Sequence, residues 1–141
     1  MKKALHKEII VAVSGYFDPL HVGHLEYFQL AKQLGDKLYV IVNNDFQAVL
    51  KKQTSFMNEN DRLEIIKSLS IVDNAFLSID QDKSVSKTLE KIKPDIFGNG
   101  GDQIKGSIIE EETCIRNNIK IVDQLGKKIR SSSEITGLNP K

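Results

Sequence analysis

Cysteine is almost absent from this sequence. Cys114 stands alone among 141 residues, so no internal disulfide can form. Such a chain suits a reducing compartment, and a cytoplasmic location is expected. Excess charge of either sign is also missing: 20 Lys+Arg stand against 19 Asp+Glu. That removes the usual electrostatic reason to expect nucleic acid or an anionic membrane as partner. Long hydrophobic runs are missing too. The longest, Ile9–Val13 and Leu38–Val42, are five residues each, far short of a membrane span. The Lys-rich start lacks the apolar centre of a signal peptide. Internal repeats and low-complexity tracts are lacking as well, so one domain covering residues 1–141 is expected, large enough for its own core. Cys114 falls in a helical pattern with Ile108, Ile109 and Ile115 and reads as a packing residue rather than a nucleophile.

What the chain does have is alternating strand and helix signals. Ile9 to Val13 reads as a buried strand, and Val22, Leu25, Phe28, Ala31 and Leu34 as the apolar stripe of a helix that stops at Gly35. Lys37 to Asn43 is a second, β-branched strand, and Phe46 to Leu50 a short helix. Asn58 caps a helix with Leu63, Ile65, Ile66 and Leu69 as apolar positions. Asp73 to Ile79 predicts a third strand, and Asp82 to Lys93 an amphipathic helix stopped by Pro94. Asp95-Ile96-Phe97 begins a short strand that ends in Gly98-Asn99-Gly100-Gly101-Asp102. Ser107 to Asn117 reads as a helix and Ile119 to Val122 as a strand. The fold class predicted is α/β: a doubly wound, mainly parallel, five-stranded sheet of Rossmann-like build.

Between the first strand and the first helix lies Ser14-Gly15-Tyr16-Phe17-Asp18-Pro19-Leu20-His21-Val22-Gly23-His24-Leu25. In a parallel sheet this turn is at the carboxyl end of a strand, where ligands bind. The helix start adds unpaired N–H groups and a positive dipole end, which suit phosphate. His21 and His24 lie three residues apart, on one helical face, with Gly23 between them allowing an anion close to the backbone. Two imidazoles there can donate to phosphoryl oxygens as charge redistributes in a transition state. Plainer roles stay open: one histidine caps the helix while the other packs, or both join Asp18 as zinc ligands.

Gly15-Tyr16-Phe17-Asp18-Pro19-Leu20-His21-Val22-Gly23-His24 resembles the G-x-F-D-x-x-H-x-G-H signature of the cytidylyltransferase-like nucleotidyltransferases. Within them it is most similar to small members such as the glycerol-3-phosphate cytidylyltransferases. The resemblance implies an enzyme in which a phosphate or phosphonate oxygen attacks the α-phosphorus of a nucleoside triphosphate and expels pyrophosphate. It implies CTP, with a glycerol 3-phosphate-like or hydroxyalkyl phosphonate acceptor. ATP with a sugar phosphate is the alternative, and a noncatalytic nucleotide-binding module the third reading.

Site roles follow from the same resemblance. His21 and His24 would face the α-phosphate, and Gly15, Tyr16, Phe17, Asp18 and Gly23 would shape the nucleotide loop. Lys51 or Lys52 would bridge the reacting groups. Arg62 would bind phosphate or pair with Asp61 or another carboxylate. Gly100, Gly101 and Asp102 match a Gly-Asp strand-end loop, with Asp102 helping to hold Mg²⁺. Ser131, Ser132 and Ser133 match the S-T-T of the family's R-T-E-G-I-S-T-T signature and would hold the distal phosphates. The arginine of that signature aligns with Gly126, with Lys127, Lys128 and Arg130 supplying charge nearby. Family members are commonly homodimers, and a homodimer is expected here.

Overall fold

The computed structural model describes residues 7–52, 55–100 and 108–126. Its elements are β1 (Ile10–Gly15), α1 (Val22–Lys32), β2 (Lys37–Val42), α2 (Asp45–Lys52), α3 (Glu59–Lys67), β3 (Asn74–Leu77), α4 (Ser86–Ile92), β4 (Ile96–Gly100), α5 (Glu111–Arg116) and β5 (Lys120–Leu125). The strands lie in the order β3-β2-β1-β4-β5, and every pairing among them is parallel. No helix among the described residues is long and apolar enough to cross a membrane.

Both faces of the sheet are covered. Val11, Val13, Leu38, Val40 and Val42 pack with Phe28 and Ala31 of α1 and Ile66 of α3. Ala12, Ile41 and Phe97 turn to the other face, with Leu89 of α4 and Cys114 of α5. A strand buried on both faces cannot alternate apolar with polar residues, which is why β1 and β2 read as continuous apolar runs. Cys114 is fully buried, and burial pushes its thiol up to about 11, so it packs as expected.

The amino-terminal edge of the sheet is pinned by three aspartates, each placed one residue before a strand. Asp36 accepts from the Ile9 N–H at 2.7 Å, Asp73 from Leu38 N–H at 2.8 Å, and Asp95 from Ile10 N–H at 2.8 Å. Each ties the strand it precedes to the start of a neighbouring one. Lys32 and Lys7 add ion pairs to Asp73 and Asp95.

Several boundaries differ from the sequence reading, for local reasons. Helix α4 starts at Ser86 rather than Asp82, because polar side chains claim the backbone before it. The Asp82 carboxylate holds the Ser84 N–H and hydroxyl, while buried Asp80 accepts from the Lys87 and Thr88 N–H groups. Helix α5 starts at Glu111, after a turn in which the buried Glu110 carboxylate accepts from the Val85 N–H. Gly35 is not the helix cap: Gln33 caps α1 in right-handed conformation. Gly35 is instead pressed on the start of β1, where an added Cβ would lie 2.8 Å from the Ile9 carbonyl oxygen. Strand β4 runs through Gly98 and Asn99 to Gly100, where a loop was expected. Asn58 does cap α3, accepting from the Asp61 N–H at 2.9 Å.

Candidate functional site

The strand order reverses between β1 and β4, the position where parallel sheets open a crevice at their carboxyl ends. The β1–β4 ladder extends only through Val11–Ile96 and Ala12–Phe97. Beyond it, the Tyr27 hydroxyl of α1 donates to the Gly98 carbonyl at 2.7 Å and lies close to the Ser14 backbone N–H. Tyr27 thus sits in the fork where the two strands part. Burial pushes its phenol well above the ordinary range, so it stays a proton donor.

Beside this fork begins α1, and its start is built from the two histidines. His21 is the N-cap, in extended conformation, and its Nδ1 accepts from the Gly23 N–H at 3.1 Å. The Nδ1 of His24 reaches back and accepts from the His21 N–H, also at 3.1 Å. This is a reciprocal capping box with imidazoles in both places. The rings stack with centroids 3.8 Å apart. Because each Nδ1 accepts a backbone N–H, the proton of each neutral ring is assigned to Nε2. Capping and phosphate binding, posed as alternatives by the sequence, are therefore compatible: the inner nitrogens cap, and the outer ones are donors.

The turn before α1 is held by its own residues. Phe17 is buried, meets the His24 ring edge-on at 5.0 Å, and has φ of 52°. A bulky residue in left-handed conformation stores strain of about 1–3 kcal/mol, held here by packing against Phe28 and His24. Gly15 makes room for that ring, since a Cβ there would lie 2.7 Å from the Phe17 Cζ. The buried Asp18 carboxylate accepts from the Phe56 and Met57 N–H groups at 2.8 and 2.7 Å, fastening the chain before α3 to the motif.

Lys51 lies over the Tyr16 ring, with Nζ 4.8 Å from its centroid, so α2 brings this ammonium group to the same edge. Tyr16 in turn donates to the Gln47 carbonyl, and burial raises its phenol above the ordinary value. Of the two roles expected for Arg62, the geometry displays the structural one, with Asp45 as partner in place of Asp61. The guanidinium is 1 % exposed and donates to the carbonyls of Met57, Tyr16 and Asn43 and to the Asp45 carboxylate at 2.7 Å. Gly100 ends β4, and among the described residues nothing lies within 4 Å of where its side chain would be. The side chain of Lys52, and all of Gly101, Asp102, Ser131, Ser132 and Ser133, lie outside the described residues.

Three participants escaped the sequence reading. Tyr27 bonds a partner 71 residues away, and Gln47 in the first turn of α2 accepts from Asn43 and Asn44 just before it. Asn99 is buried on β4, and its Nδ2 lacks a hydrogen-bond partner among the described residues. As for metals, no group of three His, Cys, Asp or Glu residues among the described ones is arranged to hold an ion. Asp18 and both inner imidazole nitrogens already accept backbone N–H groups, which works against the zinc reading.

Comparison with known proteins gives the family and the fold. A family model described as cytidylyltransferase-like matches residues 12–136. A FAD synthase of Methanothermus fervidus is 45% identical over 93 residues, 64% of this chain and 63% of that protein. The chain therefore spans slightly less than two thirds of that relative's length. A FAD synthase of Aciduliprofundum boonei is 38% identical over 111 residues, covering 79% of this chain and 73% of the relative. Among solved structures, a lipopolysaccharide core biosynthesis protein from Thermoplasma volcanium superimposes with a TM-score of 0.73 at 36% identity, over 86% of this chain and 98% of its own. Pantoate-beta-alanine ligase from Francisella tularensis, at 19% identity and TM-score 0.62, shares the fold over 89% of this chain and 61% of its own.

Proposed function

This chain belongs to the cytidylyltransferase-like family, and from that premise we propose that it is an adenylyltransferase that joins AMP from ATP to a flavin phosphate. The observation that carries the chemistry is the histidine pair, anchored through both Nδ1 atoms at the start of α1. The relatives' names carry the substrates. FAD is FMN joined to AMP through a pyrophosphate link, so a nucleotidyltransferase making it must take ATP and FMN. This moves the nucleotide from CTP, favoured by the motif alone, to ATP, and the acceptor from a glycerol 3-phosphate-like group to a flavin phosphate.

In the proposed step an oxygen of the acceptor phosphate attacks the α-phosphorus in line. The bond from that phosphorus to the β-phosphate bridging oxygen breaks, and pyrophosphate leaves with its electron pair. An ionised phosphate is already nucleophilic, so the protein's task is positioning and charge stabilisation. The Nε2–H groups of His21 and His24 would donate to the α-phosphoryl oxygens, where capping has fixed them before substrate arrives. Lys51, with Lys52 beside it in sequence, would neutralise charge between nucleotide and acceptor. Ser131, Ser132 and Ser133 would hold the distal phosphates. Mg²⁺ would enter with the triphosphate, lessening its charge, with Asp102 as the protein carboxylate. A cytoplasmic homodimer remains the expected setting.

The test is a pyrophosphate-release screen that crosses ATP and CTP with FMN, glycerol 3-phosphate, a hydroxyalkyl phosphonate and a sugar phosphate. Release with ATP and FMN, and FAD as product, is the expected result. Release only with CTP would restore the cytidylyl reading. Nucleotide binding without release for any pair would make the protein a noncatalytic module.

A further inference from the structure

We infer that Asn99 is a nucleobase-reading residue, whose buried amide donates to an acceptor on the base of the bound triphosphate. The residue is 8 % exposed, and its Nδ2 has no hydrogen-bond partner among the described residues. A buried amide donor without a partner carries the full penalty of lost hydration, and native structures rarely leave one unexplained. Here the place explains it. Asn99 is the penultimate residue of β4, at the carboxyl edge, just past the point where β4 parts from β1 around the Tyr27 hydroxyl.

The side chain's direction follows from its neighbours. A Cβ on Gly98 would approach Leu125, Val13 and Ala31, on the face covered by α1. Successive residues of a strand point to opposite faces, so Asn99 turns with Phe97 toward the face covered by α4 and α5. The irregularity between β4 and β5 leaves this intact, because the extra residue is in β5: Gly98 pairs with Val122 and Gly100 with Leu125. The phosphate seat at the start of α1 is on the Gly98 side of the fork, and the orphan amide on the other.

A nucleotide with its phosphates at His21 and His24 would cross the fork and bring its base toward Asn99. A neutral amide suits a base edge better than a phosphate: it offers one donor and one acceptor side by side. Adenine and cytosine each present a ring nitrogen beside an exocyclic amine, the complement of that pair. This inference rests on the nucleotidyltransferase reading and adds to it the element that recognises the base.

The test compares the wild-type protein with Asn99→Leu, by equilibrium titration with ATP, CTP and inorganic tripolyphosphate, and by thermal melting without ligand. The variant is expected to bind the preferred nucleoside triphosphate roughly tenfold more weakly, the scale of one lost hydrogen bond. Tripolyphosphate, which has no base, should bind both proteins alike. The ligand-free variant should melt at the same temperature as wild type or higher, because an unpaired buried polar group has been removed. If leucine prevents folding, Asn99→Ala gives the same binding readout. Unchanged nucleotide affinity would overturn the inference, as would equal weakening of tripolyphosphate. A lowered melting point with unaltered binding would make Asn99 a structural residue. Wild-type pyrophosphate release, measured alongside, tells failure of this inference from failure of the functional reading.

Discussion

Substituting the histidines so that capping is kept and the outer donor is lost separates their two tasks. Asn at position 21 is a preferred N-cap whose side-chain oxygen accepts from the same Gly23 N–H. Gln at position 24 is a natural partner in a capping box and can take the His21 N–H. Each amide still carries an N–H donor, but Asn holds it nearer the backbone than the imidazole Nε2 and Gln holds it on a longer, more flexible stem, so the rigidly fixed outer donor is lost. His21→Asn and His24→Gln should therefore keep the melting temperature within a degree or two of wild type. Each should lower turnover about 100- to 1000-fold, the loss of roughly 2.7–4 kcal/mol of transition-state stabilisation that removing one oxyanion donor brings. His21→Ala and His24→Ala should lose the same turnover and also about 1 kcal/mol of stability, or roughly 4 °C in melting temperature. Steady-state pyrophosphate release and calorimetric melting of the four variants give the two axes independently. Near wild-type turnover in His21→Asn or His24→Gln would refute the assignment of the outer nitrogens. Equal melting in the alanine variants would refute the capping.

Arg62→Ala leaves the Met57, Tyr16 and Asn43 carbonyls without their donor, and should cost about 3 kcal/mol or more in urea unfolding, at about 1 kcal/mol or more for each carbonyl left unsatisfied. Its ion pair adds little to that, since Asp45 is 40% exposed; a loss under about 1 kcal/mol would show that the latch does not hold the loops. Tyr27→Phe removes the hydroxyl from the fork and should weaken both stability, by about 1 kcal/mol, and nucleotide affinity, read by melting and titration. Burial raises the Glu110 carboxyl above its ordinary value, so its stabilising effect is present at low pH and lost as pH rises through the folded-state value. Glu110→Gln, which keeps an oxygen for the Val85 N–H, should then melt above wild type at about pH 7 and equal it below about pH 4. Asp73 and Asp95 have the opposite sign: backbone N–H groups and lysines hold them below the ordinary carboxylate range. Their contribution is present above the unfolded value and disappears as pH falls through the folded one, so the protection of the Ile10 and Leu38 amides against exchange, taken relative to their intrinsic rates, should fall as the pH drops through that value.

The fold class was legible because two-sided burial leaves a plain mark: Ile10–Val13 and Leu38–Val42 carry no polar residue. The Asn58 cap was legible because its partner is three residues away. What escaped depends on distance along the chain. Arg62 reads equally as a phosphate ligand or as the partner of a nearby carboxylate, and only the fold sets the Tyr16 and Asn43 carbonyls around it, 46 and 19 residues upstream. Tyr27 falls outside the apolar stripe of α1 and gains its meaning only from Gly98. Asn99 between glycines reads as a turn, and its burial is a property of the sheet rather than of local sequence. The histidine motif was legible as a place but not as a geometry, since spacing alone does not say that each Nδ1 is bound to the backbone. The choice between ATP and CTP has no local signature in the motif, because in the proposed complex the base would lie beyond the segment assigned to phosphate.

The aspartate pins of Asp36, Asp73 and Asp95 have an evolutionary corollary. They secure strand alignment from the end of the sheet remote from chemistry, so the loops at the working end are released from that duty. Lineages descended from such a scaffold can exchange those loops, and with them the molecule being modified, without rewriting the instructions for assembling the sheet.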